Sequence, residues 1–329
     1  VTYGNSTFVA VGSSGKILTS ADGVTWTPRS SGTATTNFYG VTYGNSTFVA
    51  VGDLGAIRTS ADGVTWTSRS SGTTNALYGI TYGNSTFVAV GWNGTIRTSA
   101  NGVTWTSRSS GTTNFLNEVT YGNSTFVAVG FGGTILTSAD GVTWTSRSSG
   151  TTNRLNGVTY DNSTFVGVGS NGTILTSADG ATWTFRSSGT MNQLEGVTYG
   201  NSTFVAVGSG GAILTSSGST TWTSRTWGTS TPLNGVTYDN STFVAVGYSG
   251  TILTSADGET WSSRSSGTTQ HLNGVTYDNS TFVAVGYSGT ILTSADGETW
   301  SSRSSGTTQH LNGVTYDNST FVAVGYSGT

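Results

Sequence analysis

Apolar residues along this chain are gathered into short runs that return at a fixed interval. Phe-Val-Ala-Val, preceded by Ser-Thr and followed by Gly, is typified by Phe48 to Val51. A shorter run opens Ile-Leu-Thr-Ser, as at Ile17 to Ser20, and a third centres on Trp in Val-Thr-Trp-Thr, as at Val24 to Thr27. Between the runs lie Gly, Asn, Asp, Ser and Thr, the residues of turns. Runs this short, bounded by turn residues and without helix caps or a 3.6-residue period, predict β-strands. Each unit reads as four strands. Strand A runs from about Tyr39 through Tyr43, and a Gly-Asn or Asp-Asn pair then supplies a tight hairpin turn. Strand B covers Ser46 to Val51, and its unbroken apolar run predicts burial on both faces. Strands C and D are the Ile-Leu-Thr-Ser and Val-Thr-Trp-Thr segments, joined by Ala-Asp-Gly.

The interval itself organises the chain. Val-Thr-Tyr-Gly/Asp-Asn-Ser-Thr-Phe begins at Val1, Val41, Val119, Val158, Val197, Val236, Val275 and Val314, with an Ile-led copy at Ile80. The units are 1–40, 41–79, 80–118, 119–157, 158–196, 197–235, 236–274 and 275–313, followed by a half unit, 314–329. Units 236–274 and 275–313 are identical, which points to recent copying. Four strands per 39 residues predict an all-β propeller of four-stranded blades forming one domain over 1–329. The half unit favours nine positions around the ring, because Phe321, Val322 and Val324 need somewhere to bury; a ring of eight is the alternative.

Composition narrows the function classes. Charged residues make up 8% of the chain and the net charge is -3, with Lys16 the one lysine, so no basic surface for nucleic acid is expected. There is no cysteine, hence no disulfide framework or thiolate metal site, and no apolar run approaches the ~18 residues of a membrane helix. The opening inside a repeat without Met suggests a processed chain or a fragment. Low charge with abundant Thr, Ser, Gly and Asn leads to the expectation of an extracellular or cell-surface setting. No cofactor and no metal are expected, and self-assembly is one partner considered.

The segment Ser20-Ala21-Asp22-Gly23-Val24-Thr25-Trp26 recurs around Asp62, Asp140, Asp179, Asp257 and Asp296, with Asn101 in place of the acid before Trp105 and Gly218 before Trp222. It resembles the Asp-box, or BNR, repeat of sialidase-like propellers, and the whole unit is similar to bacterial repeats related to the photosystem II stability/assembly factor family. The likeness spans essentially the whole chain, though the spacing is one residue shorter than the usual Ser-x-Asp-x-Gly-x-Thr-Trp. It implies a structural box away from the active face, where a short carboxylate collects backbone N–H groups, Gly turns the chain and Trp fills the space between sheets. It also raises a sialidase-like glycosidase, which needs convergent arginines. Arg29, Arg69, Arg108, Arg147, Arg186, Arg225, Arg264 and Arg303 occur once per unit and read as structural, leaving Arg58, Arg97 and Arg154 as the singular candidates. Glu118 and Glu195 are unusual acids beside strand A, and His271 and His310 occupy equivalent loops that could face one another. None of these assembles a recognisable catalytic set, and a non-enzymatic protein is expected.

Differences between units concentrate in two loops. After strand B the leading residues include Trp92, Phe131, Tyr248, Tyr287 and Tyr326; before strand A they change through Asn37, Ala76, Phe115, Arg154, Gln193, Pro232, His271 and His310. Strand direction alternates, so both loops emerge on one face, where binding residues on a rigid scaffold belong. The leading expectation is a ligand, glycan or protein, held there by Trp92, Phe115, Phe131, Arg154, Tyr248, His271, Tyr287, His310 and Tyr326. An assembly-factor-like module docking a membrane complex is the second reading. The opposite face carries Asn-Ser-Thr at Asn45 and its equivalents, which are N-glycosylation acceptors in form and hairpin turns in any case.

Overall fold

A computed structural model describes residues 2–11, 14–20, 27–278, 281–305, 308, 310–317 and 320–326. It is a β-propeller. Eight antiparallel four-stranded sheets follow one another in chain order, each with its strands in the order A, B, C, D. The second blade shows the pattern: A is Phe38–Gly44, B is Thr47–Gly52, C is Ile57–Ser60 and D is Thr67–Arg69. Strand A of each blade lies against strand A of the next, so these strands form the inner wall of the ring. The half unit forms a two-stranded pair, His310–Asp317 with Thr320–Tyr326, lying between the inner strands of the eighth blade and the strands of the first. The complete blades therefore number eight, with this hairpin beside them.

Strand B carries the core. Phe48, Val49, Ala50 and Val51 are all fully buried, as both-face burial requires. Phe48 and Ala50 pack toward the first blade with Val9, Val11 and Ile17, while Val49 and Val51 pack toward the third with Leu77, Ile80, Phe87 and Ala89. Each apolar layer thus belongs to a seam between blades, and neighbours hold one another in place.

Strand D departs from the expected Val-Thr-Trp-Thr. It begins after the Trp, at Thr67 in the second blade, because the acid of the box draws the preceding residues into a turn. Asp62 Oδ1 accepts from the Val64 amide at 2.8 Å, the Thr65 amide at 2.9 Å and the Ser60 hydroxyl at 2.9 Å, and the Trp66 indole N–H donates to Gly63 O at 2.7 Å. Backbone groups committed to a carboxylate cannot join a ladder. Asp140, Asp179, Asp257 and Asp296 repeat the arrangement, and these donors hold every one of the five carboxyls below the usual carboxylate value. Asn101 accepts the same three bonds through its amide oxygen, so the task needs an acceptor rather than a charge. Asp22 lies outside the described residues.

Candidate docking face at the mouth of the ring

The loop after strand B is a three-residue 3-10 turn, as at Trp92–Gly94 and Phe131–Gly133. Its first amide donates to the carbonyl of the variable residue before strand A of the same blade: Trp92 to Ala76 at 2.8 Å, Phe131 to Phe115 at 2.9 Å, Tyr248 to Pro232 at 3.0 Å and Tyr287 to His271 at 2.8 Å. These bonds bring both variable loops to one face. The preceding glycine makes the approach possible, since a Cβ on Gly130 would lie 1.9 Å from Phe115 O.

Side chains on this face pair across the seams. Trp92 stacks on Phe115 of the next blade with ring centroids 4.0 Å apart, Phe115 meets Phe131 edge-on at 5.0 Å, and the Arg154 guanidinium lies 4.5 Å from the Phe131 ring centre. Farther round, Tyr248 stacks on His271 at 4.2 Å, His271 meets Tyr287 at 4.9 Å, and Tyr287 stacks on His310 at 4.0 Å. Both imidazoles are oriented by Nδ1, which accepts the Ser249 and Ser288 amides at 2.9 and 3.1 Å respectively. The histidines do not face one another, because Tyr287 stands between them. Trp92, Phe131 and Tyr248 are 46%, 36% and 41% exposed, so the two aromatic runs meet solvent. The side chain of Tyr326 lies outside the described residues.

A polar rim lies just inside these runs. Tyr39 and Tyr78 sit with ring centroids 5.4 Å apart, and the Tyr39 hydroxyl donates to Asp53 Oδ1 at 2.8 Å; burial and that carboxylate push the phenol up to about 12. In later blades Asn takes the Tyr place, and Asn117, Asn156, Asn234 and Asn273 each donate Nδ2 to a Leu carbonyl of the next inner strand at 2.6–2.8 Å. Arg154 also reaches Asn117 Oδ1 at 3.4 Å. Glu195, at the same position, is held by Gln193 Nε2 at 2.7 Å. Glu118 is the one side chain in a ring position otherwise filled by Gly40, Gly79, Gly157, Gly196, Gly235 and Gly274. Water still touches part of it, yet the inner strands desolvate its carboxyl and push it up to about 7, against one backbone N–H that favours the charge.

Among the described residues the singular arginines share no partner. Arg58 donates to Ser31 O and Ser68 Oγ, Arg97 to Gly72 O, and Arg154 belongs to the aromatic run. A convergent carboxylate clamp is therefore not formed by them. The once-per-unit arginines bind within their own sheets, as Arg69 Nε does to Thr59 Oγ1 at 2.8 Å. On the opposite face, Nδ2 of Asn45, Asn84, Asn123 and Asn201 donates to the next blade's Ala carbonyl at 3.2 Å, so the nitrogen a glycan would use already holds a seam.

No protein-family model matches the chain, and no curated protein does. Solved structures share its architecture. YCF48 from Cyanidioschyzon merolae is 18% identical with a TM-score of 0.58, covering 74% of this chain and 91% of that one; another structure holds YCF48 bound to D1 peptide, at 18% and 0.57, covering 75% and 86%. The computationally designed Ika8 protein gives 12% and 0.70 over 92% of this chain and 94% of its own, and virginiamycin B lyase from Staphylococcus aureus 13% and 0.64 over 76% and 91%. At these identities the likeness is one of fold.

Proposed function

We propose that the chain is a non-enzymatic, assembly-factor-like propeller that docks a segment of a partner protein on the variable-loop face. The observation that carries this reading is the pairing of exposed planar side chains across the seams, Trp92 with Phe115 and Phe131 with Arg154, continued by Tyr248, His271, Tyr287 and His310. Rigid aromatic and guanidinium anchors concentrate binding energy at little entropic cost. The polar rim within reach, with Asn117, Asp53 and Glu195, suits the main chain of an extended peptide. YCF48 bound to D1 peptide supports a protein partner over a glycan for this architecture. A propeller scaffold also hosts a lyase, but among the described residues neither Glu118 nor Glu195 has an acid partner, and Arg58, Arg97 and Arg154 bind elsewhere.

The test is a screen of peptide and glycan arrays with the intact chain and with a variant carrying Trp92→Ser, Phe131→Ser, Tyr248→Ser and Tyr287→Ser. Peptide binding lost in the variant is expected. Binding of glycans alone, or peptide binding unchanged in the variant, overturns the reading.

A further inference from the structure

Glu118 stands on the inner wall of the ring, in strand A of the fourth blade, Leu116–Gly122. The register against strand B shifts between Leu116 and Glu118, so Leu116 and Val119 both turn into the seam with the third blade, beside Val88 and Val90. Glu118 is left on the other side of the strand, toward the inner strand of the fifth blade. The glycines at the same position show what that side meets. A Cβ added at Gly40, Gly79, Gly157 or Gly235 would come 3.0, 3.2, 3.5 or 3.4 Å from the carbonyl oxygen of Tyr78, Asn117, Glu195 or Asn273 on the next inner strand. Glu118 therefore sets a carboxylate at a level of the wall where its equivalents carry no side chain and backbone acceptors are close. Phe115 of the aromatic run precedes it by three residues, about 10 Å along a strand, so this level lies just inside the variable-loop mouth.

No side chain among the described residues answers this charge. Glu195 receives the Gln193 amide at 2.7 Å, and Glu259 and Glu298 pair with Arg225 and Arg264 at 2.6 Å. Burial pushes the Glu118 carboxyl up to about 7, and the one hydrogen-bond donor opposing that shift is the backbone N–H of Val119. The carboxyl is nevertheless open. The unpartnered side-chain atoms sealed from water among the described residues are Arg97 Nε, Asn156 Oδ1 and Ser216 Oγ, and Glu118 keeps partial exposure. A desolvated carboxylate without a counter-charge is costly, and Gly in the equivalent places shows that the fold has no need of one. An acid with that cost, no internal partner and an open approach suits a cation brought from outside.

We propose that Glu118 receives a primary ammonium group of the docked partner segment, a lysine side chain or a free amino terminus, entering the ring from the variable-loop face. An ammonium is compact and carries three donors and no acceptor, so it can meet the carboxylate and neighbouring carbonyls together. The aromatic runs supply contact area, and Glu118 selects the charge. This inference rests on the docking reading, which does not itself require Glu118.

The test takes a peptide from the array that binds the intact chain and is lost by the quadruple aromatic variant. Its affinity is measured by calorimetry for the wild type, for Glu118→Gln and for Glu118→Gly, which installs the residue of the other blades. The same peptide is measured with its lysines acetylated and, separately, with its amino terminus acetylated. One acetylation and Glu118→Gln are each expected to weaken binding at least tenfold, and the two together little more than either alone. Loss on lysine acetylation assigns the ammonium to a side chain; loss on terminal acetylation assigns it to the amino terminus. With the four glutamates of the chain carboxyl-labelled, the Glu118 resonance should titrate at lower pH once the peptide is bound. Equal binding by wild type and the folded Glu118 variants, or indifference to both acetylations, overturns the inference and leaves the docking reading standing. Absence of any peptide binding overturns both.

Discussion

At the scale of single residues, the repeat supplies its own controls. Asn101 performs the turn with the same three bonds as Asp62, so Asp140→Asn is expected to leave stability nearly unchanged, whereas Asp140→Ala should cost about 1 kcal/mol by stranding Ser138 and two amides. Gly218 is the converse case. Without an acid there, the Ser216 hydroxyl is buried with no partner. Gly218→Asp, combined with Ser219→Gly at a position where φ is +60°, should stabilise the chain by about 1 kcal/mol in equilibrium unfolding. Glu118 is expected to dominate a different experiment. Its folded carboxyl titrates near 7, above its unfolded value, so its contribution is complete in acid and is lost as pH rises from about 4.5 through about 7. The difference in unfolding free energy between wild type and Glu118→Gln should shift across that window in favour of the variant; a difference flat with pH would contradict a desolvated acid. The box carboxylates act in the opposite sense, losing their contribution as pH falls below the ordinary Asp value, and they cancel in this comparison.

Elements were legible where side chains alone decide them. Strand B announced its two-sided burial in Phe-Val-Ala-Val, and strands A and C fall within a residue or two of the expected bounds. Strand D starts later than the run Val-Thr-Trp-Thr predicts because the Asp of the box competes for the amides of Val64 and Thr65, a side-chain effect that hydrophobic runs do not register. Strand alternation sets the two variable loops on one face, but alternation alone does not reveal their pairing. The signal was present in the sequence: a planar residue after strand B is followed 23 residues later by another, at Trp92 and Phe115, Phe131 and Arg154, Tyr248 and His271, and Tyr287 and His310. Where Asp53, Ser170 or Ser209 stands instead, Ala76, Gln193 or Pro232 follows. The glycine that lets the loops meet sets a further expectation. Gly130→Ala forces a Cβ onto Phe115 O and should cost on the order of 1–3 kcal/mol, measured by chemical denaturation, while weakening any ligand held by Phe115 and Phe131.

The whole molecule follows from the seams. Every apolar layer lies between two blades, so a repeat alone has an uncovered face and stability accrues only as neighbours are added. Closure sets the first and last blades on either side of the two-stranded hairpin, and the complete blades number eight, the alternative to the nine positions that the repeat count favours. A rigid ring with two exposed aromatic runs on one face and satisfied hairpin turns on the other is asymmetric in what it offers a partner. Binding energy at such a surface comes from a few packed anchors. The most direct test is hydrogen–deuterium exchange of the intact chain with and without a peptide selected from the array. The account predicts slowed exchange at the turns 92–94 and 131–133 and around 115 and 154, with the hairpin turns at Asn45, Asn84 and Asn123 unchanged. Slowed exchange confined to those hairpin turns would place the partner on the opposite face and contradict it.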